Sequence, residues 1–243
     1  MDVLARREKQ MNQTFKEQLL SSHLLTVAET SAGMARELGL ENIAYLIGAF
    51  HDVGKSGIFQ EMLRGEKIQV NHSTFGAYFL FLKGNRFLKK LEDGDSHFLF
   101  LNTLILPILQ HHGLMDILPS IPKEEKGMRY YFYTLYRLDQ KNRGEDIQML
   151  FSYADHFSGM LKESFEDIVL KAYREWTILE DKVYRLTKGN PKSENSEIFQ
   201  REINFYRSCI IRLLLSILGQ IKSFKTDDKV KSNKKEASKE AER

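Results

Sequence analysis

The chain has 243 residues, 42% of them apolar and 28% charged, which allows one sizeable core and excludes a fibrous or wholly disordered polypeptide. Its one cysteine, Cys209, excludes an internal disulfide framework and fits a reducing cytoplasm; set among Ile210, Ile211 and Leu213, it reads as a packed core thiol. A formal charge of +3 is compatible with a nucleic-acid partner without requiring one.

Met1 to Gln18 is polar and charged, so it carries no secretory signal. The longest nearly uncharged stretch, His97 to Leu114, contains Asn102, Pro107, Gln110, His111 and His112 and reads as a buried helix rather than a membrane span. The expectation is a soluble, cytoplasmic protein without membrane contact.

In chain order, Ser22 is the expected N-cap of a helix running to Leu38 and ended by Gly39, with Leu24, Val27, Ala28, Ala35 and Leu38 on one face. Ile43, Leu46, Ile47 and Phe50 recur at helical spacing in a second helix, Asn42 to Asp52, which Gly54 is expected to close in a left-handed turn. A short helix over Ile58 to Leu63 ends at Gly65, and Lys67 to Val70 reads as a brief extended link. Ser73 to Lys83 is helical and closed by Gly84. A helix from His97 to His112 is capped by Asp95 or Ser96, kinked or restarted at Pro107, and closed by Gly113. Pro119 and Pro122 mark a loop, and the aromatic-rich Lys126 to Leu138 reads as helix. Three more helices are expected over Ile147 to Leu161, Phe165 to Leu186 and Ile198 to Ile221, the last two separated by Gly189, Asn190 and Pro191. From Lys225 onward almost nothing is apolar, the composition of a disordered basic tail. With no repeat and no sustained strand alternation, the fold class is all-α, a helical bundle in one domain over 1–224 with a tail over 225–243.

Most of the chemistry-bearing residues sit at helix ends. Of seven histidines, His23 lies early in the first helix, His51 adjoins Asp52 at the end of the second, His72 precedes Ser73, and His111 and His112 end the proline-containing helix. Asp155 follows the apolar positions Phe151 and Ala154. Consecutive helical residues project about 100° apart, so His51 and Asp52 share a pocket only at a helix end beside a cavity. A lone histidine on an apolar helix is usually a hydrogen-bonded core or surface residue, and His97 and His156 fall in that class. Five histidines and two aspartates around His-Asp-x-Gly-Lys are better explained by a metal site.

The blocks HLLTVAETSAGMA, GAFHDVGKSGIFQ, VNHSTFGA, ILQHHGLMD and LFSYADHF, spanning His23 to Asp155, resemble the HD-domain metal-dependent phosphohydrolases and, within them, the stand-alone HD nuclease of type I CRISPR interference. The family pattern reads Asp-His-Ser where this chain has Asn71-His72-Ser73, and no Gly-Tyr-Pro motif accompanies the HD pair, which argues against the cyclic-dinucleotide phosphodiesterases. The resemblance implies that His23, His51, Asp52 and Asp155 bind one divalent metal ion and Asp52, His72, His111 and His112 a second, with Asp52 bridging. Manganese, iron, nickel, cobalt, zinc and magnesium all remain open. Lys55 either binds the scissile phosphate, making it catalytic beside Asp52, or is a solvated lysine at a helix C-terminus; Ser73 touches substrate or caps its helix; Gln60 has a supporting role. Lys83, Arg86, Lys89, Lys90, Arg129 and Arg137 are candidates for guiding a DNA backbone, and Tyr130 to Tyr136 for stacking bases.

The implied activity is hydrolysis of phosphodiester bonds in single-stranded DNA, in concert with a helicase subunit or domain and the crRNA-guided surveillance complex. The chain itself contains no Gly-x-x-x-x-Gly-Lys-Ser/Thr phosphate loop. The alternatives are an HD phosphohydrolase acting on nucleotides or other small phosphoesters, and a catalytically silent adaptor.

Overall fold

Apolar residues at helical spacing line successive helices and turn one face of each into a shared core. The computed structural model describes residues 3–10, 14–57, 59–66, 72–91, 96–111, 127, 147–188 and 209–219. Helix α1 (Leu20–Ala35) buries Leu20, Leu24, Val27, Ala28 and Ala35. A 3-10 turn over Arg36–Leu38 follows, and Gly39 closes it at φ 69°, as its position promises. Ser22 is not the cap: the helix begins two residues earlier, and the Ser22 carbonyl accepts from the Thr26 hydroxyl.

Helix α2 (Glu41–Phe50) buries Ile43, Leu46, Ile47 and Phe50 completely or nearly so. Its N-terminus is capped from a distant part of the chain. The carboxylate of Glu175 accepts the backbone N–H groups of Asn42 and Ile43 and the Asn42 side-chain amide, at 2.6 to 3.0 Å. A negative charge there meets both the free amides and the positive end of the helix dipole.

After α2 come α3 (Phe59–Leu63), α4 (His72–Leu88) and α5 (Ser96–Gln110). Helix α4 runs on through Gly84 instead of stopping there. The reason is packing: a Cβ on Gly84 would lie 2.7 Å from Leu101 of α5. Ser73 donates to the carbonyl of Leu109, so the start of α4 meets the end of α5 and the two run antiparallel. Pro107 lies inside α5. Helix α6 (Ile147–Ser158) and α7 (Phe165–Lys188) complete the core with Phe157, Phe165, Ile168, Val169 and Trp176; α8, over 209–219, adds Leu214, Ile217 and Leu218. Phe50 lies at the aromatic centre, its ring 5.4 to 5.9 Å from those of Phe79, Phe157 and Phe165.

Two further findings differ from the sequence expectations. A hairpin of β1 (Leu4–Lys9) and β2 (Phe15–Leu19) precedes the helices, antiparallel, with an irregularity between Leu4 and Arg6. Its strands are mostly charged, so they lack the apolar alternation that marks a strand; the ladder is joined by the Arg7–Glu17 ion pair and by Arg7 over the Phe15 ring. Cys209 is exposed, because its neighbours Ile211 and Leu214 take the inward face of α8. The Lys67 to Val70 link, the Pro119 to Pro122 loop, nearly all of Lys126 to Leu138, the Gly189 to Pro191 break and the tail lie outside the described residues. No helix among the described residues is long and apolar enough to cross a membrane.

Glu175→Ala leaves the first amides of α2 without their acceptor and is expected to lower unfolding free energy by about 1–2 kcal/mol in urea titration. An unchanged midpoint would show that water caps the helix equally well.

Candidate metal centre

The histidine–aspartate pair stands where α2 gives way to a tighter turn. His51 is still helical (φ −58°, ψ −35°), whereas Asp52 leaves the helix at φ −116°, ψ 8° and leads into a 3-10 turn over Val53–Lys55. That change of direction lets adjacent side chains enter one pocket. Gly54 is not the expected left-handed residue: among the described glycines the positive φ values belong to Gly39, Gly57 and Gly65. Gly54 serves close approach instead. A Cβ there would lie 2.0 Å from the His72 carbonyl oxygen, and one on Gly76 would lie 2.4 Å from the Phe50 carbonyl oxygen. Two missing side chains therefore seat the first turn of α4 on the end of α2 and carry His72 to the pocket.

Asp52 is buried, and its two oxygens face different partners. Oδ2 lies 3.0 Å from His23 Nε2, 3.1 Å from His51 Nε2 and 2.7 Å from Lys55 Nζ. Oδ1 lies 3.1 Å from His72 Nε2 and 3.0 Å from His111 Nε2. Two three-donor groups result, His23–His51–Asp52 and Asp52–His72–His111, each with its ligand atoms within 4.8 Å of one another.

Backbone carbonyls orient two of these rings. His51 Nδ1 lies 2.7 Å from the Gly48 carbonyl and His111 Nδ1 2.6 Å from that of Ile108, so each Nδ1–H donates away from the pocket. A neutral ring held this way aims its Nε2 lone pair at the Asp52 carboxylate. Nitrogen and oxygen lone pairs 3 Å apart repel unless a proton or a cation lies between them. Burial pushes His111 down to about 4, which favours its neutral ring near pH 7. Burial alone would raise Asp52, but His51 and hydrogen bonding with His111, His23 and His51 outweigh it and hold the carboxyl well below its usual range. Mixed imidazole and carboxylate donors with oriented rings suit a divalent transition metal, so the residues present fit the expected ion.

The other candidates divide. Lys55 lies in the pocket on Asp52 Oδ2, with its ammonium 5.5 Å from the Phe59 ring centroid, and that ring packs 4.9 Å from the His72 ring. Ser73 is turned to the Leu109 carbonyl and helps to hold the end of α5. Asp155 is not brought into either donor group: its half-exposed carboxylate pairs with Lys83 at 2.5 Å. His112 lies outside the described residues. Sequence reasoning passed over Phe59 and Glu175, the first because an apolar residue after a turn reads as core, the second because nothing local links it to α2.

The His111 and Asp52 shifts predict acid sensitivity in protein held in a chelator. His111 titrates at about 4 when folded and at the ordinary 6.5 when unfolded, so the unfolded chain takes up the proton first as pH falls. Stability should drop between those values by up to about 3 kcal/mol. The depressed Asp52 acts in the same sense below its ordinary 3.8, its stabilisation being lost as pH approaches the folded value. Denaturant titrations at pH 7 and pH 5 check this, and His111→Gln should flatten the difference.

The HD domain family matches residues 20–160, more than half of the chain and the stretch that holds every donor of the pocket. No curated protein and no solved structure matched. By that match and the convergence of four histidines on the aspartate of the HD pair, the chain belongs to the HD domain family of metal-dependent phosphohydrolases.

Proposed function

We propose that this domain is a nuclease that hydrolyses phosphodiester bonds of single-stranded DNA with two divalent metal ions bridged by Asp52, and that it acts in type I CRISPR interference beside a helicase and the crRNA-guided surveillance complex. The observation that carries the two-ion reading is the division of Asp52: each oxygen faces its own histidine pair. The nuclease and interference assignments draw on the sequence blocks and on the second pair, His72 and His111, added to the histidine and HD pair that general HD hydrolases share.

When bound, such ions supply a water of lowered pKa and positive charge opposite the phosphate. The chain's own residues do the rest. Asp52 offers one oxygen to each side. The Gly48 and Ile108 carbonyls keep the Nε2 atoms of His51 and His111 aimed inward. Lys55, 2.7 Å from Asp52 Oδ2, brings the charge that binds the scissile phosphate. In this reading Asp155 joins His23 and His51, and His112 joins His72 and His111. Arg86, Lys89 and Lys90, exposed around the end of α4, guide the DNA backbone.

Circular single-stranded DNA incubated with the protein and manganese or nickel tests the proposal. Linearisation and release of nucleotides support it; hydrolysis confined to mononucleotides or small phosphoesters would move the function to the nucleotidase alternative. A protein that binds no metal and stays inert would point to an adaptor. Asp52→Ala is expected to lower cleavage by about a thousandfold or more while circular dichroism stays helical. His111→Ala should reduce bound metal by about one ion per chain, read by elemental analysis. Lys55→Met should slow turnover by about 10–100-fold with metal content retained.

A further inference from the structure

We infer that Gln60 is a positioning residue for Lys55, and that through it the N-terminal hairpin and the catalytic turn form one mechanical unit; the catalytic consequence rests on the phosphodiesterase reading above. The side-chain amide of Gln60 joins two segments that lie far apart in sequence. Its Oε1 accepts the N–H of Leu4 at 2.8 Å, and its Nε2 donates to the carbonyl of Leu4 at 2.7 Å and to that of Lys55 at 2.7 Å. The two bonds to Leu4 are the pair a neighbouring strand would make, so the amide takes the place of a strand on the edge of β1 that faces away from β2. The third bond pins the backbone of Lys55.

Lys55 is held from several sides. Its N–H donates to the Asp52 carbonyl at 2.9 Å, its carbonyl is taken by Gln60, and its ammonium lies between Asp52 Oδ2 at 2.7 Å and the Phe59 ring at 5.5 Å. A lysine has a long flexible stem, so where its ammonium can go depends on how firmly its backbone is fixed. Phe59 and Gln60 are neighbours on α3, and the Phe59 ring also packs on His72. Docking α3 to β1 therefore sets the Lys55 side of the pocket and steadies the His72 side. Both N–H groups of the Gln60 amide are already engaged, which leaves it no donor for a substrate phosphate. Its influence on the reaction passes through Lys55.

Gln60→Met, of similar length but without hydrogen bonds, tests this in the full chain. Acetylation by an amine-reactive ester, followed residue by residue with peptide mass spectrometry, should proceed several-fold faster at Lys55, with Lys162 as an unchanged reference. Hydrogen exchange of the Leu4 amide should rise in parallel. With manganese and bis(p-nitrophenyl) phosphate, kcat should fall about 10-fold with metal content constant, and the same change in a Lys55→Met background should cost nothing further. Gln60→Glu, which keeps an acceptor for Leu4 but has no donor for Lys55, should label like Gln60→Met. Unaltered Lys55 labelling, or an equal kcat loss without Lys55, overturns the inference. If wild-type protein is inert toward the diester with every cation tried, the phosphodiesterase reading fails, and labelling alone decides the clamp.

Discussion

A carboxylate buried among imidazoles is the constraint that the surrounding structure serves. Removing the Asp52 charge from water is costly unless partners replace the lost hydration; here the Lys55 ammonium does so at 2.7 Å, while the Nε2 atoms of His23, His51, His72 and His111 stand at 3.0 to 3.1 Å, where a shared proton or cation joins them to the carboxylate. Those partners come from α1, the end of α2, α4, the end of α5 and the turn after α2, so four of the five helices in the first half of the chain have one residue committed to a single side chain. The aspartate in turn gives those elements a polar reason to meet at one point, beside the apolar reason supplied by Phe50 one turn away.

Such convergence requires backbones to come closer than side chains normally permit. Gly48 lets α2 lie on Ala28 and Val27 of α1, with a Cβ there reaching to 2.8 Å of the Ala28 Cα; Gly54 and Gly76 do the same between α2 and α4. None of these three glycines has a positive φ, so their use is spatial rather than conformational. Each lies within one turn of a metal-ligating candidate or across from one. The ion site and the tight packing are therefore two aspects of one arrangement, and a side chain at Gly54 would displace His72 before it disturbed anything else.

Much of this was legible in the sequence because it depends on local signals. The helices from α1 to α7 follow their apolar periodicity, and His23, His51, Asp52, His72 and His111 announce themselves by residue type at or near helix ends. What escaped depends on distant partners. Glu175 caps α2 from 133 positions away, and its own stretch shows only an exposed-looking acid on an amphipathic helix. Gly54 carries the same letter whether it supplies a turn or a gap, and only the His72 carbonyl distinguishes the two. Cys209 is followed at once by Ile210 and Ile211, which does not say which face of α8 it takes. The charged hairpin hides its strands because its stability comes from pairing and from Gln60 rather than from an apolar face.

Asp155 shows how the same limit bears on chemistry. The family resemblance implies that it binds the metal, yet its carboxylate is half-exposed and held by Lys83. A half-exposed ion pair is worth about 0–1 kcal/mol, because water and salt screen it and two flexible side chains must be ordered to form it. A divalent ion bound by His23, the oriented His51 and a buried carboxylate would offer a fourth donor more than that. Under the two-ion proposal, exchange of Lys83 for the ion would therefore be downhill and would free an ammonium on α4, the helix whose C-terminal end carries Arg86, Lys89 and Lys90. Charge released as the ion is captured would then lie on the path proposed for the DNA backbone, so that loading the centre and readying the surface for a polyanion become a single event.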